Sequence, residues 1–293
     1  TPLYSSAASD VYKRQTIDTS NQWIIERTGI EQRRHIKKGD GNSTASMGAE
    51  AAKIAIERSG IDKDEIDLII FATLSPDYYF PGGGVLVQEE LQIKTCPAMD
   101  IRNQCSGFIY SIATADQFIK SGMYKNILVI GSENHSGGLD FSTRGRAVSV
   151  IFGDGAGAIV LSADSKEGII SSHIHADGQY NDLLSVEGNH IKMKGNEVFK
   201  VAVNTLSKLV DETLDKNNMN KSSIDWLVPH QANLRIIKAA AKKLSLPLEQ
   251  VVVTVDDHAN TSAASIPLAL NEAVKDGRIK EDQVLLLEAF GSG

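Results

Sequence analysis

Two short apolar runs, residues 67–75 and 126–132, constrain this chain more than any other feature. Each is too short for a typical helix, and the first is rich in isoleucine, with charged residues before it and Pro76 after it. Runs of that kind are strands buried on both faces of a parallel sheet. Between them Phe108, Ile109, Ile112, Ala115 and Ile119 recur at helical spacing with few charges, which predicts an enclosed helix ending near Ser121. The second half repeats the style, with helices expected over 197–214, 233–244 and 262–275 and strands over 226–228, 251–255 and 284–287. Strands alternating with helices of this length indicate α/β layers. A polar turn near 162–168 divides the chain into 16–165 and 166–293, two halves of matching organisation.

With 293 residues, 42% of them hydrophobic, the chain can bury a large core. An excess of 37 acidic over 30 basic side chains, net −7, argues against a general nucleic-acid binder. The longest apolar runs fall far below the ~20 residues that span a bilayer, so no membrane helix is expected. Cys96 and Cys105 cannot build a disulfide framework, and neither has metal-ligand spacing around it. A reducing cytoplasm is the expected location. Cys96, just before Pro97, reads as a buried small hydrophobe. Residues 1–15 have neither a signal-peptide core nor strand alternation and are expected to be a non-native or disordered segment.

Cys105 stands where a strand breaks into a helix, in Asn103-Gln104-Cys105-Ser106-Gly107-Phe108. A thiol at the positive end of a helix dipole is expected to favour the nucleophilic thiolate. His230, in Val228-Pro229-His230-Gln231-Ala232-Asn233, follows a strand and precedes a helix, the position where open α/β sheets keep their ligand sites. Asn260, in His258-Ala259-Asn260-Thr261-Ser262, is expected at the equivalent junction one unit later. Cysteine, histidine and asparagine supply a nucleophile, a proton-handling base and a neutral hydrogen-bond donor. Papain-like proteases use the same chain order, but their Cys-Gly-Ser-Cys-aromatic signature is absent, and strands and helices alternate throughout. The remaining histidines read as structural or exposed. The glycines of Phe152-Gly153-Asp154-Gly155-Ala156-Gly157-Ala158 lack the lysine of a phosphate loop and are expected to permit close backbone packing.

These segments, with Trp23-Ile24-Ile25-Glu26-Arg27-Thr28-Gly29-Ile30 and Glu288-Ala289-Phe290-Gly291, are similar to the β-ketoacyl-acyl carrier protein synthase III family of the thiolase-like superfamily, in register from about 16 to 293. The resemblance implies a five-layered αβαβα fold of two similar halves and a homodimer. It implies a condensing enzyme that starts fatty-acid synthesis: an acyl-CoA acylates Cys105, then malonyl-acyl carrier protein loses CO2 and attacks the acyl group. His230 and Asn260 would hold the enolate oxygen. Backbone N–H groups of Cys105 and Ser292 would form the oxyanion hole for acylation. Coenzyme A enters as a substrate thioester, and no metal or other cofactor is implied.

By the same resemblance, Trp23, Arg27 and Arg144 surround the adenine, while Asn196 and Asn233 contact the pantetheine arm. Phe80, after Tyr78-Tyr79, lies where the family's loop shapes the acyl pocket across a dimer. Arg235, Lys242 and Lys243 would dock the acidic carrier protein, or form an ordinary solvated helix face. Ser292 replaces a usual glycine, and Arg102 and Gln104 replace small residues before the nucleophile. The family continues into another core strand after Gly293, so both ends are expected to mark a fragment. Two other readings stay open: a related condensing enzyme of specialised metabolism, and a non-catalytic partner subunit, which would be expected to lack the nucleophile.

Overall fold

The computed structural model describes residues 17–37, 39–166, 168–187 and 190–292; the segment 1–15 and Gly293 lie outside the described residues. Its longer helices are α1 (Asn21–Thr28), α2 (Thr44–Ser59), α3 (Gly83–Leu91), α4 (Gly107–Lys120), α5 (Gly195–Lys216), α6 (Leu234–Leu244) and α7 (Ser265–Lys275). Its strands are β1 (Leu68–Ala72), β2 (Ala98–Ile101), β3 (Asn126–Glu133), β4 (Gly155–Ser162), β5 (Leu184–Glu187), β6 (His190–Met193), β7 (Trp226–Pro229) and β8 (Leu285–Glu288).

One sheet has the order β2-β1-β3-β4, with β1, β2 and β3 parallel and β4 antiparallel to β3. Every residue of β1 and β3 is buried, because the sheet is covered on both faces. Their side chains alternate between two cores. Ile69, Phe71, Leu128 and Ile130 pack with Ala45, Ala49, Ala52 and Val87 of α2 and α3. Leu68, Ile70, Ile127 and Val129 point the other way, onto Phe108, Ile112 and Ala115 of α4 and Ile266, Ala269 and Ala273 of α7. Removing a side chain of this size from water stabilises the fold by about 1.5–3 kcal/mol.

The parallel pair β7-β8 closes the far side of that central helix layer. Val228 and Leu287 face α4 and α7. Leu227 and Leu286 face the opposite way, onto Val210 and Leu214 of α5 and Ile237, Ala240 and Leu244 of α6. The order is therefore helices α2 and α3, sheet, helices α4 and α7, sheet, helices α5 and α6, the five layers expected. A hairpin, β5-β6, lies outside this stack and was not anticipated.

The strand expected over 251–255 does not form. Only Val251 bridges to Leu227, and the chain then turns into a single helical turn, Val255–His258. The cause is Gln231, whose side-chain amide takes the place of a neighbouring strand. Its Nε2 donates to Val252 O at 3.0 Å and to Pro229 O at 2.8 Å, while its Oε1 accepts from Thr254 N at 2.8 Å.

Candidate active site

Three chain segments meet at the carboxyl ends of β2, β3 and β7. Cys105 follows β2 and sits in a single 3-10 turn, Gln104–Ser106, ahead of α4 rather than inside it. Gln104 holds a left-handed backbone, φ 46°, to make the corner. Beside Cys105 runs the backbone of Gly291, so close that a β-carbon there would lie 2.8 Å from Cys105 Cβ and 3.0 Å from its nitrogen. Only glycine allows that approach, which brings the chain leading to Ser292 alongside the Cys105 amide. Ser292 itself is exposed.

The expected thiolate is not what the geometry favours at rest. Cys105 is buried, and loss of hydration pushes its thiol up to about 11, outweighing a hydrogen bond from Ser262. The nearby Glu133 carboxylate pushes the same way. At rest, burial favours the thiol over the thiolate.

A turn at Ser262–Ala264 joins the three candidate side chains. Ser262 Oγ contacts Cys105 Sγ at 3.5 Å, and Ser262 N donates to Asn260 Oδ1 at 2.9 Å. Three residues on, Ser265 Oγ lies 2.5 Å from His230 Nδ1. This turn packs directly on β3, where a β-carbon at Gly131 would fall 2.3 Å from Ala263 O. Buried Glu133 accepts from Leu74 N, Ser75 N and Ser75 Oγ at 2.6–3.2 Å and from Ala263 N at 3.4 Å, and so anchors the 262–264 turn to the loop after β1.

Asn260 does not follow a strand; a backbone bridge to Phe152 holds it, with Asn260 N donating to Ile151 O and Gly153 N donating to Asn260 O, both at 3.0 Å. Because Ser262 N occupies the amide oxygen, the side-chain nitrogen is the group left to offer hydrogen bonds. His230 is fixed similarly. Ser265 Oγ accepts from Gln231 N at 3.3 Å; with its own hydrogen directed at His230 Nδ1, the ring proton resides on Nε2. Burial, with His135 as a secondary cause, lowers His230 to about 3. At neutral pH it is a hydrogen-bond donor and a poor base. Ser262, Ser265, Gln231 and Glu133 are not expected as site residues from the sequence, although Ser262 and Gln231 lie in the segments around Asn260 and His230.

At the rim, Arg27 and Arg146 lie 4.5 Å and 4.9 Å from the Trp23 ring centroid. Arg144, expected at this place, instead pairs with Asp140 at 2.8 Å. Asn233 caps α6 by accepting from Arg235 N and donates to Arg27 O at 3.0 Å, tying α6 to α1. Asn196 is exposed in the first turn of α5. Arg235 stacks over Phe199 at 5.0 Å. Lys243 pairs with Asp211 at 2.6 Å, so the exposed basic face of α6 is Arg235, Lys238 and Lys242, spaced three and four apart. Phe80 is 81% exposed, next to Tyr79 at 94%. As expected, Gly157 packs closely, its would-be β-carbon 2.8 Å from Pro267 of α7.

Among the described residues no group of three or more His, Cys, Asp or Glu side chains is arranged to hold a metal ion, and no helix is long and apolar enough to cross a membrane. Two family models match the sequence: 3-Oxoacyl-[acyl-carrier-protein (ACP)] synthase III over residues 99–178 and its C terminal counterpart over 214–293. The β-ketoacyl-[acyl-carrier-protein] synthase III 1 of Vibrio vulnificus is 54% identical over 99% of this chain and 93% of its own length. The Methylococcus capsulatus synthase III is 52% identical over 94% and 88%. The crystal structure of 3-oxoacyl-[acyl-carrier-protein] synthase III from Aquifex aeolicus superposes with a TM-score of 0.92 at 43% identity, covering 95% of this chain and 90% of that one. With that identity across nearly the whole length of each protein, the chain belongs to the β-ketoacyl-[acyl-carrier-protein] synthase III family.

Proposed function

We propose that this protein is the initiating condensing enzyme of fatty-acid synthesis, an acyltransferase in which Cys105 carries the acyl group between two half-reactions. The observation that carries this reading is the Ser262–Ser265 segment, which links the thiol, the Asn260 amide and the His230 ring through its own polar groups. In the first half-reaction the Cys105 sulfur attacks an acyl-CoA thioester, the thiol proton ends on the CoA sulfur, and the Cys105 and Ser292 amides hold the oxyanion. Trp23 and Arg27 offer the nucleotide a flat ring and a cation, with Arg146 as a third member in place of Arg144. Asn233 and Asn196 border the route of the pantetheine arm.

In the second half-reaction the carboxylate of a malonyl-acyl carrier protein leaves as CO2. The resulting enolate carries its charge on the thioester oxygen, where His230 Nε2–H and the Asn260 amide donate to it. Its carbon attacks the Cys105 thioester, the 3-oxoacyl product departs on the carrier, and the freed thiolate takes up one proton. A histidine held neutral and an amide suit this role better than a base and a carboxylate, because both must donate to a forming anion. The exposed basic face of α6 fits an acidic carrier protein, and the Tyr78-Tyr79-Phe80 loop fits a second copy of the chain across a homodimer. Incubation of the purified protein with a panel of acyl-CoA primers and malonyl-acyl carrier protein tests the reading. The expected products are CO2, CoA and a 3-oxoacyl carrier; release of CO2 without a new carbon–carbon bond would contradict it.

A further inference from the structure

Glu288 closes β8, paired in register with Pro229 at the end of β7. Its backbone oxygen accepts from His230 N at 2.7 Å, so the two residues are neighbours across the sheet. By the alternation of β8 its side chain points into the layer between that sheet and α5 and α6, where it lies 6% exposed. Neither carboxyl oxygen has a protein partner. A buried carboxyl without a hydrogen bond is costly and is the exception in folded proteins. It borders a cavity of about 20 Å3 together with His230, Phe290, Ala202, Leu206 and Ile236, room for about one water molecule.

We infer that Glu288 is a positioning residue for the decarboxylation step, a neutral acid that shares a water-sized cavity with His230 and, when ionised, opposes the enolate that His230 must stabilise. Burial alone pushes its carboxyl up to about 8. The elements around it offer nothing to offset a negative charge: α5 presents Ala202 and Leu206, α6 presents Ile236, Ile237 and Ala240, β7 presents Pro229, and the chain after β8 presents Phe290. Among the described residues His230 is the only other titratable group on the cavity wall, and it stays neutral. Below pH 8 the carboxyl carries its proton and donates or accepts through the cavity without charge. Above pH 8 it becomes an uncompensated anion in a site of low dielectric, beside the place where the reaction builds a second one.

The inference rests on the condensing reading of the site, and the two half-reactions separate their failures. Single-turnover acylation of Cys105 by acetyl-CoA and CO2 release from malonyl-CoA by the acylated enzyme are followed between pH 6.5 and pH 9.5. Acylation is expected to rise with pH as the thiolate fraction grows, while CO2 release falls roughly tenfold per unit above about pH 8. In Glu288→Gln the ratio of CO2 release at pH 9 to that at pH 7 is expected to flatten toward one. Equal alkaline falls in wild type and Glu288→Gln, or no fall in wild type, overturn the inference. Absence of acylation at every pH overturns the condensing reading and the inference with it. Should Glu288→Gln fold poorly, infrared difference spectra of wild type and Glu288→Asp decide: a protonated carboxyl band that shifts in Glu288→Asp and titrates together with CO2 release supports the inference, and no such band titrating between pH 7 and pH 9 overturns it.

Discussion

Replacing Ser265 with alanine should damage one half-reaction and spare the other. The hydroxyl makes two contacts, to His230 Nδ1 at 2.5 Å and from Gln231 N at 3.3 Å, both in a buried setting. Losing it orphans two polar groups, at a cost of roughly 1–3 kcal/mol each where water cannot replace the bond. For catalysis the larger effect is on the tautomer. Without the serine nothing reserves Nδ1 as the acceptor, so part of the enzyme carries its ring proton on the wrong nitrogen and offers no donor to the enolate oxygen. Outright loss of one oxyanion donor costs about 10²–10³ in rate; tautomer scrambling is partial, and a loss of roughly tenfold in CO2 release is expected by the same measure. Acylation of Cys105 uses the backbone amides and should change less than threefold by that reasoning, within about the variation of a single neutral hydrogen bond. Rapid-quench acylation by acetyl-CoA and CO2 release from malonyl-acyl carrier protein separate the two. Equal losses in both steps, or none in CO2 release, would refute the tautomer argument.

Gly131→Ala should push the Ser262–Ala264 turn off β3, since the new carbon would lie 2.3 Å from Ala263 O; both half-reactions and the melting temperature should fall together. Reversing Arg235, Lys238 and Lys242 to glutamate should raise KM for malonyl-acyl carrier protein severalfold while leaving KM for acyl-CoA nearly unchanged, and the wild-type KM should itself rise with salt. Adding Lys243 should contribute little, because Asp211 already pairs with it. For Glu288 the folded carboxyl is raised from 4.5 to about 8, so the folded chain binds one more proton than the unfolded chain between those values and loses stability as pH rises through them. Glu288→Gln should therefore gain on wild type from pH 5 to pH 8, by an amount on the order of a few kcal/mol before the cost of burying the amide. Denaturant titrations at the two pH values check it.

The layered fold was legible because its central strands are continuous apolar runs, and 126–132 differs from β3 by one residue. The 251–255 strand was not. Its valines satisfy strand propensity, but the partner for the second half of that segment is the Gln231 side chain, and residue type does not reveal which way an amide turns. Cys105 and His230 were readable as candidates because each follows a strand and precedes a helix, whereas the like junction expected at Asn260 does not form. The roles of Ser262 and Ser265 are not visible in the sequence, since a hydroxyl's function lies in its direction. Likewise Arg146 rather than Arg144 reaches Trp23, and Lys243 finds Asp211 on another helix; both depend on contacts between segments far apart in the chain. The helix start at Cys105 is visible in the sequence, whereas the burial that raises its thiol arises from segments far away in the chain.

If Cys105 carries the acyl group, intact-mass measurement after incubation with acetyl-CoA detects it there, with Cys96, half-buried beside Gln88, as the internal control. Wild type and Cys96→Ser should each gain one acetyl group, and Cys105→Ser should gain none. Acetylation that persists in Cys105→Ser, or that is absent from the wild-type protein, would contradict the account.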